Sequence, residues 1–159
     1  MIRLNPFRSV FFNLEKIMSK KYEHESEVLA LVSSFENATV SRDDWKHAEH
    51  LIVALYYLSH HDMETATTKM REGILNLLKN GFNVDLTKEM PYHETITVFW
   101  MHTLNKYNLS TNGTSLLDKA NEVAVKYDKD YPLRFYTRER LFSDEARASF
   151  IDGDIQPFD

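Results

Sequence analysis

The sequence predicts an all-α fold, a compact array of about five helices closed by a short helical C-terminal tail. Apolar residues recur at helical spacing, as in Val28, Leu29, Leu31, Val32 and Phe35, which fall on one broad face. Glycine and proline number only four each, too few for the turn about every ten residues that an all-β fold needs. At 159 residues, 43% hydrophobic and 13% aromatic, the chain suits one globular domain, placed over residues 18–159.

Residues 1–17 read as a poorly ordered extension upstream of an ordinary start at Met18. They hold Arg3 and Arg8, no acid before Glu15, and the cluster Val10, Phe11 and Phe12. No small-residue cleavage site follows them, which argues against a secretory signal. The first helix is expected from Glu23 to Glu36 and is broken by Asn37–Arg42. The second is expected from Asp44 to Leu58, with Asp43 as N-cap, and its run Leu51–Leu58 is apolar nearly all round, so it should be central. His60, His61 and Asp62 form a turn in which Asp62 or His61 caps a third helix to about Asn80, with Gly81 as its left-handed stop. Ala66, Met70, Ile74, Leu77 and Leu78 are its apolar positions.

A loop of about ten residues leads to Pro91, long enough to be functional or mobile. The fourth helix is expected from Pro91 to Tyr107, and Thr114 or Ser115 opens a fifth to Tyr127. Residues 131–147 read as short helical pieces, one starting at Ser143, and 152–159 as extended and exposed.

Composition excludes several functions. A net charge of −5 gives no basic footprint for nucleic acid. The absence of cysteine removes disulfides, thiolate metal sites and cysteine nucleophiles. No apolar run approaches the roughly 18 residues of a membrane span. The expected location is the cytoplasm, so the sequons at Asn37, Asn108 and Asn112 carry no weight. There is no phosphate-cradling glycine loop, no G-x-S-x-G elbow and no H-E-x-x-H pair. The many aromatic residues leave room for a homodimer interface.

The chemistry-bearing residues gather at one end. A short connection makes helices two and three antiparallel; a similar return makes two and four parallel, beginning at the same end. His47 and His50 are three apart and share a helical face with Leu51, Ala54 and Leu58. The matching stripe on the fourth helix is His93, Ile96, Thr97, Trp100 and Leu104, beside Tyr92 and Glu94. Arg71 lies among the apolar positions of the third helix and faces the same space.

Five strings carry a resemblance: F-E-x-x-T-V from Phe35, W-x-H-x-x-H-L-x-V-A-L-x-Y-L from Trp45, M-R-x-G-I from Met70, Y-H-E-T-I-T from Tyr92, and F-Y-T-R-E-R-L-F-S-D-E-A-R from Phe135. As a set spanning Phe35 to Arg147, they resemble an uncharacterised family of short helical proteins. The resemblance implies that these segments form one unit and implies no activity.

Three readings of the polar cluster follow. In the first, His47, His50 and His93 bind one transition metal ion (Zn, Fe, Cu or Ni), and Glu94 is a fourth ligand or general base. In the second, a metal-free pocket holds a small polar or anionic molecule. Arg71 anchors it, His93 or Glu94 acts as acid or base, and Tyr92 and Tyr136 add hydroxyls, with two helix N-termini pointing in. In the third, the histidines are hydrogen-bonded core, Glu94 favours its helix dipole, and Trp45 and Trp100 are packing anchors in a structural or interaction module. Elsewhere, His60 and His61 read as a solvated cap, His102 as a charged surface residue, His24 as unpartnered, and Arg138 to Arg140 as a solvated face or an ion pair.

Overall fold

Leu51, Ile52, Val53, Ala54, Leu55, Tyr57 and Leu58 are all buried, so the longest apolar run is the axis around which the other elements pack. They lie on α2 (His47–His60) in the computed structural model, which describes residues 20–158. The other helices are α1 (Glu25–Glu36), α3 (Met63–Asn76), α4 (Glu94–Ser110) and α5 (Leu116–Lys126). A 3₁₀ turn (Tyr131–Arg134) and two short helices, α6 (Arg138–Leu141) and α7 (Asp144–Ala148), form the tail. No strand occurs among the described residues. The extension expected over 1–17 lies outside them. None of the described helices is long and apolar enough to cross a membrane.

Local hydrogen bonds set the helix starts. Asp62, Ser115 and Ser143 each accept the N–H three residues on, as expected of N-caps. Asp43 does not cap α2. The Ser41 hydroxyl accepts the Asp44 N–H at 3.1 Å and donates to the Asp44 carboxylate at 2.8 Å, holding these residues in a separate turn. The helix starts three residues later than expected, with Glu49 accepting the Lys46 N–H at 3.1 Å.

The α3 helix runs into a single π turn (Leu77–Gly81), and Gly81 is not its left-handed residue. Asn83 takes that role with φ 55°. Gly81 is needed for proximity instead, because a Cβ there would stand 2.8 Å from the Ala38 carbonyl oxygen.

The predicted helix directions hold. His47 packs on Trp100 at 5.0 Å between ring centroids, and the Asn108 amide donates to the Leu58 carbonyl at 3.3 Å, so α2 and α4 run parallel. On α5, Tyr127 packs on Trp100 and Glu122 accepts from Tyr107, which makes α5 antiparallel to α4.

The last residues are not free. Thr137 donates its N–H and hydroxyl to Asp154 at 2.8 and 2.7 Å, and the Phe158 ring packs tilted on Phe99 at 4.9 Å between centroids. The end is largely exposed, as expected, but it is irregular chain held at Asp154 and Phe158 and not a free extended segment.

Candidate functional site

A cavity of about 250 Å³ opens between α2, α3 and the start of α4. His50 and Ala54 of α2, Met70 and Ile74 of α3, and Ile96, Thr97, Trp100 and Met101 of α4 line it, together with Pro91, Tyr92 and His93. Its walls are therefore mostly aliphatic and aromatic, with a few polar atoms. The α2 contribution starts at His50, one turn inside the helix, so the cavity lies beside that helix end and not at its tip.

The three histidines do not form a ligand set. His93 is buried and spends both ring nitrogens: Nε2–H donates to the Leu141 carbonyl at 2.7 Å, and Nδ1 accepts the Ile96 N–H at 3.2 Å as the N-cap of α4. No lone pair remains there for a metal. His47 turns toward α5, where Nε2–H donates to the Tyr127 carbonyl at 3.0 Å, and it does not line the cavity. Among the described residues, no three His, Asp or Glu side chains come together in a way that could hold a metal ion. The expected His47, His50 and His93 metal centre is thus not assembled, because two of its members are spent on backbone carbonyls of other segments.

His50 differs from both. Its Nδ1–H donates to the Lys46 carbonyl at 3.0 Å, and its ring packs on Trp45 at 4.2 Å. These contacts fix orientation and tautomer, and leave Nε2 with a lone pair and no protein partner among the described residues. Burial holds the His50 pKa below the ordinary 6.5, against a smaller opposing effect from the Lys46 carbonyl, so the ring is neutral at neutral pH.

Tyr92, Glu94 and Arg71 do come together, but as a closed network. Arg71 donates from Nε at 3.0 Å and from Nη2 to the two Glu94 oxygens, and the Tyr92 hydroxyl donates to Glu94 Oε2 at 2.6 Å. The guanidinium holds the Glu94 pKa below its ordinary range, and burial followed by Glu94 itself raises that of Tyr92. Glu94 is therefore a poor general base, with both oxygens occupied, and the Arg71 charge is matched by Glu94. Neither lines the cavity; Tyr92 does. Tyr136 is fully buried elsewhere and donates to the Ile151 carbonyl at 2.6 Å, so it adds no hydroxyl to the site.

The remaining sequence expectations divide. His60 and His61 are exposed at the far end, as expected. His102 lies at the surface, as expected, but desolvation first, then Lys106, lowers its pKa, and its ring packs edge-on to Phe158 at 5.3 Å. His24 is the N-cap residue of α1, its N–H donating to Glu27 at 2.8 Å. Arg140 is not solvated throughout, since Nε donates to the Asp152 carbonyl at 2.7 Å.

Thr95 was missed by sequence reasoning. It is fully buried, donates to the Ser149 carbonyl at 2.9 Å and accepts the Ile151 N–H at 3.1 Å. Nothing in the local pattern marks it, because its partners lie far along the chain. No family model matches the chain, and no curated protein or solved structure is similar to it.

Proposed function

We propose that the cavity between α2, α3 and α4 binds a small, largely apolar molecule, without a metal ion, and that His50 Nε2 receives its polar group. The observation that carries this is the asymmetry of the lining. The wall is closed by aliphatic and aromatic side chains and the α4 side is locked by internal hydrogen bonds, while one oriented, neutral imidazole keeps an unused acceptor. Apolar concavities with a few placed polar groups are the usual form of small-molecule sites. A neutral imidazole whose other nitrogen is tied to a carbonyl is also the form a general base takes, so the same geometry supports proton abstraction from a bound substrate. A cavity of 250 Å³ exceeds the roughly 150 Å³ that suffices for benzene in an engineered core, which sets the scale at about one substituted ring.

The test fills the cavity. Ala54 lines it and is 2% exposed, so Ala54→Leu places extra methyl groups in the space a ligand would use. Fragments that raise the Tm of the wild type should fail to raise that of the variant. Equal shifts in both proteins would place the binding elsewhere and remove this reading.

A further inference from the structure

We infer that the cavity selects an uncharged hydrogen-bond donor of about one aromatic ring, a phenol or a comparable N–H compound, and rejects anions. This rests on the reading of the cavity as a ligand site and follows from where each lining proton goes. The Tyr92 hydroxyl faces a Glu94 oxygen at 2.6 Å, and that carboxylate is held ionised by Arg71, so the tyrosine is the donor. The Thr97 hydroxyl stands 3.0 Å from the His93 carbonyl, which can only accept. The ring protons of His93 and His50 go to the carbonyls of Leu141 and Lys46. Every one of these polar side chains has given its proton to the protein. Lone pairs are left on Thr97 Oγ1 and His50 Nε2, whereas the Tyr92 oxygen already has Thr97 and Arg71 as further hydrogen-bonding neighbours.

Trp100 is the one lining side chain with a proton still to give, its indole N–H having no protein acceptor among the described residues. A carboxylate or phosphate inside would meet two unused side-chain lone pairs for one side-chain donor and lose its hydration, a poorly compensated desolvation. The Arg71 guanidinium is not part of the lining and is paired with both Glu94 oxygens. An ammonium would find acceptors, but no carboxylate lines the cavity, and Met70, Ile74 and Ile96 cannot solvate a charge. A neutral O–H or N–H donor satisfies His50 at no such cost.

The experiment is a calorimetric titration of the full chain at pH 7.5 with phenol, anisole, benzoate and benzylamine, which share a ring and differ in charge and donor. Phenol should bind at least about tenfold tighter than anisole, in which a methyl group replaces the donated proton, and tighter than benzoate or benzylamine. His50→Phe should bind phenol and anisole alike. In the wild type, the ¹⁵N resonance of His50 Nε2 should move with phenol and not with anisole, a readout that does not depend on the variant folding. Equal affinity for phenol and anisole, or a preference for benzoate or benzylamine, would overturn the donor rule while leaving the ligand site standing. Binding of none of the four probes would overturn the site itself.

Discussion

Two helix beginnings face the same cavity and treat their polar side chains in opposite ways. At the start of α4, Tyr92, His93, Glu94 and Thr95 are all committed: to Glu94, to Leu141 and Ile96, to Arg71, and to Ser149 and Ile151. One turn into α2, His50 is oriented by Lys46 and Trp45 and keeps a nitrogen unused. The residue type and the general position are alike. What separates a structural histidine from a candidate functional one is the supply of backbone carbonyls and N–H groups from neighbouring segments.

That contrast can be broken by substitution. His93→Ala removes an N-cap, worth about 1 kcal/mol, and orphans the Leu141 carbonyl for about 2 kcal/mol more. Thermal unfolding should show a loss of about 3 kcal/mol, or roughly 9 °C in Tm for a chain of this size. An unchanged Tm would show that the α4 wall is not braced by this ring.

A smaller effect should come from acid. Burial holds His47, His50, His93 and His102 below their ordinary 6.5 in the folded chain, so the unfolded chain takes up protons first as pH falls. This contribution to stability is complete above about pH 6.5 and is lost progressively below it. Tm should therefore drop by a few degrees between pH 7.5 and 5.5. A flat profile would contradict the neutral rings. The smallest stability effect belongs to His50→Phe, under about 1 kcal/mol by chemical denaturation, because only the bond to the Lys46 carbonyl is lost. A cost as large as that of His93→Ala would make His50 a structural residue as well.

Periodicity alone marked much of the site. His50, Ala54, His93, Ile96, Thr97 and Trp100 all lie on the two stripes that the helical spacing picks out, and Met70 and Ile74 on the third helix's apolar face. The parallel relation of α2 and α4 followed from short connections. What the sequence could not show is which histidines were spent. Their partners are backbone carbonyls, Tyr127 for His47 and Leu141 for His93, at separations of 80 and 48 residues. A carbonyl has no side-chain identity, so no motif announces it. The same applies to Asp43, where the Ser41 turn outcompeted a plausible cap, and to Thr95, whose partners belong to the tail.

That tail has a consequence for how the chain is made. The groups that lock the start of α4 come from Leu141, Ser149 and Ile151, which leave the ribosome 48 to 56 residues after the residues they secure. While α1 to α4 emerge, the Thr95 hydroxyl and the His93 ring lack these partners, and one wall of the cavity has no fixed shape. The α2 core can assemble during synthesis, whereas the cavity takes its final shape only once the last segment docks. A stalled or clipped product lacking residues 141–151 should therefore be helical yet lack the fixed α4 wall of the cavity.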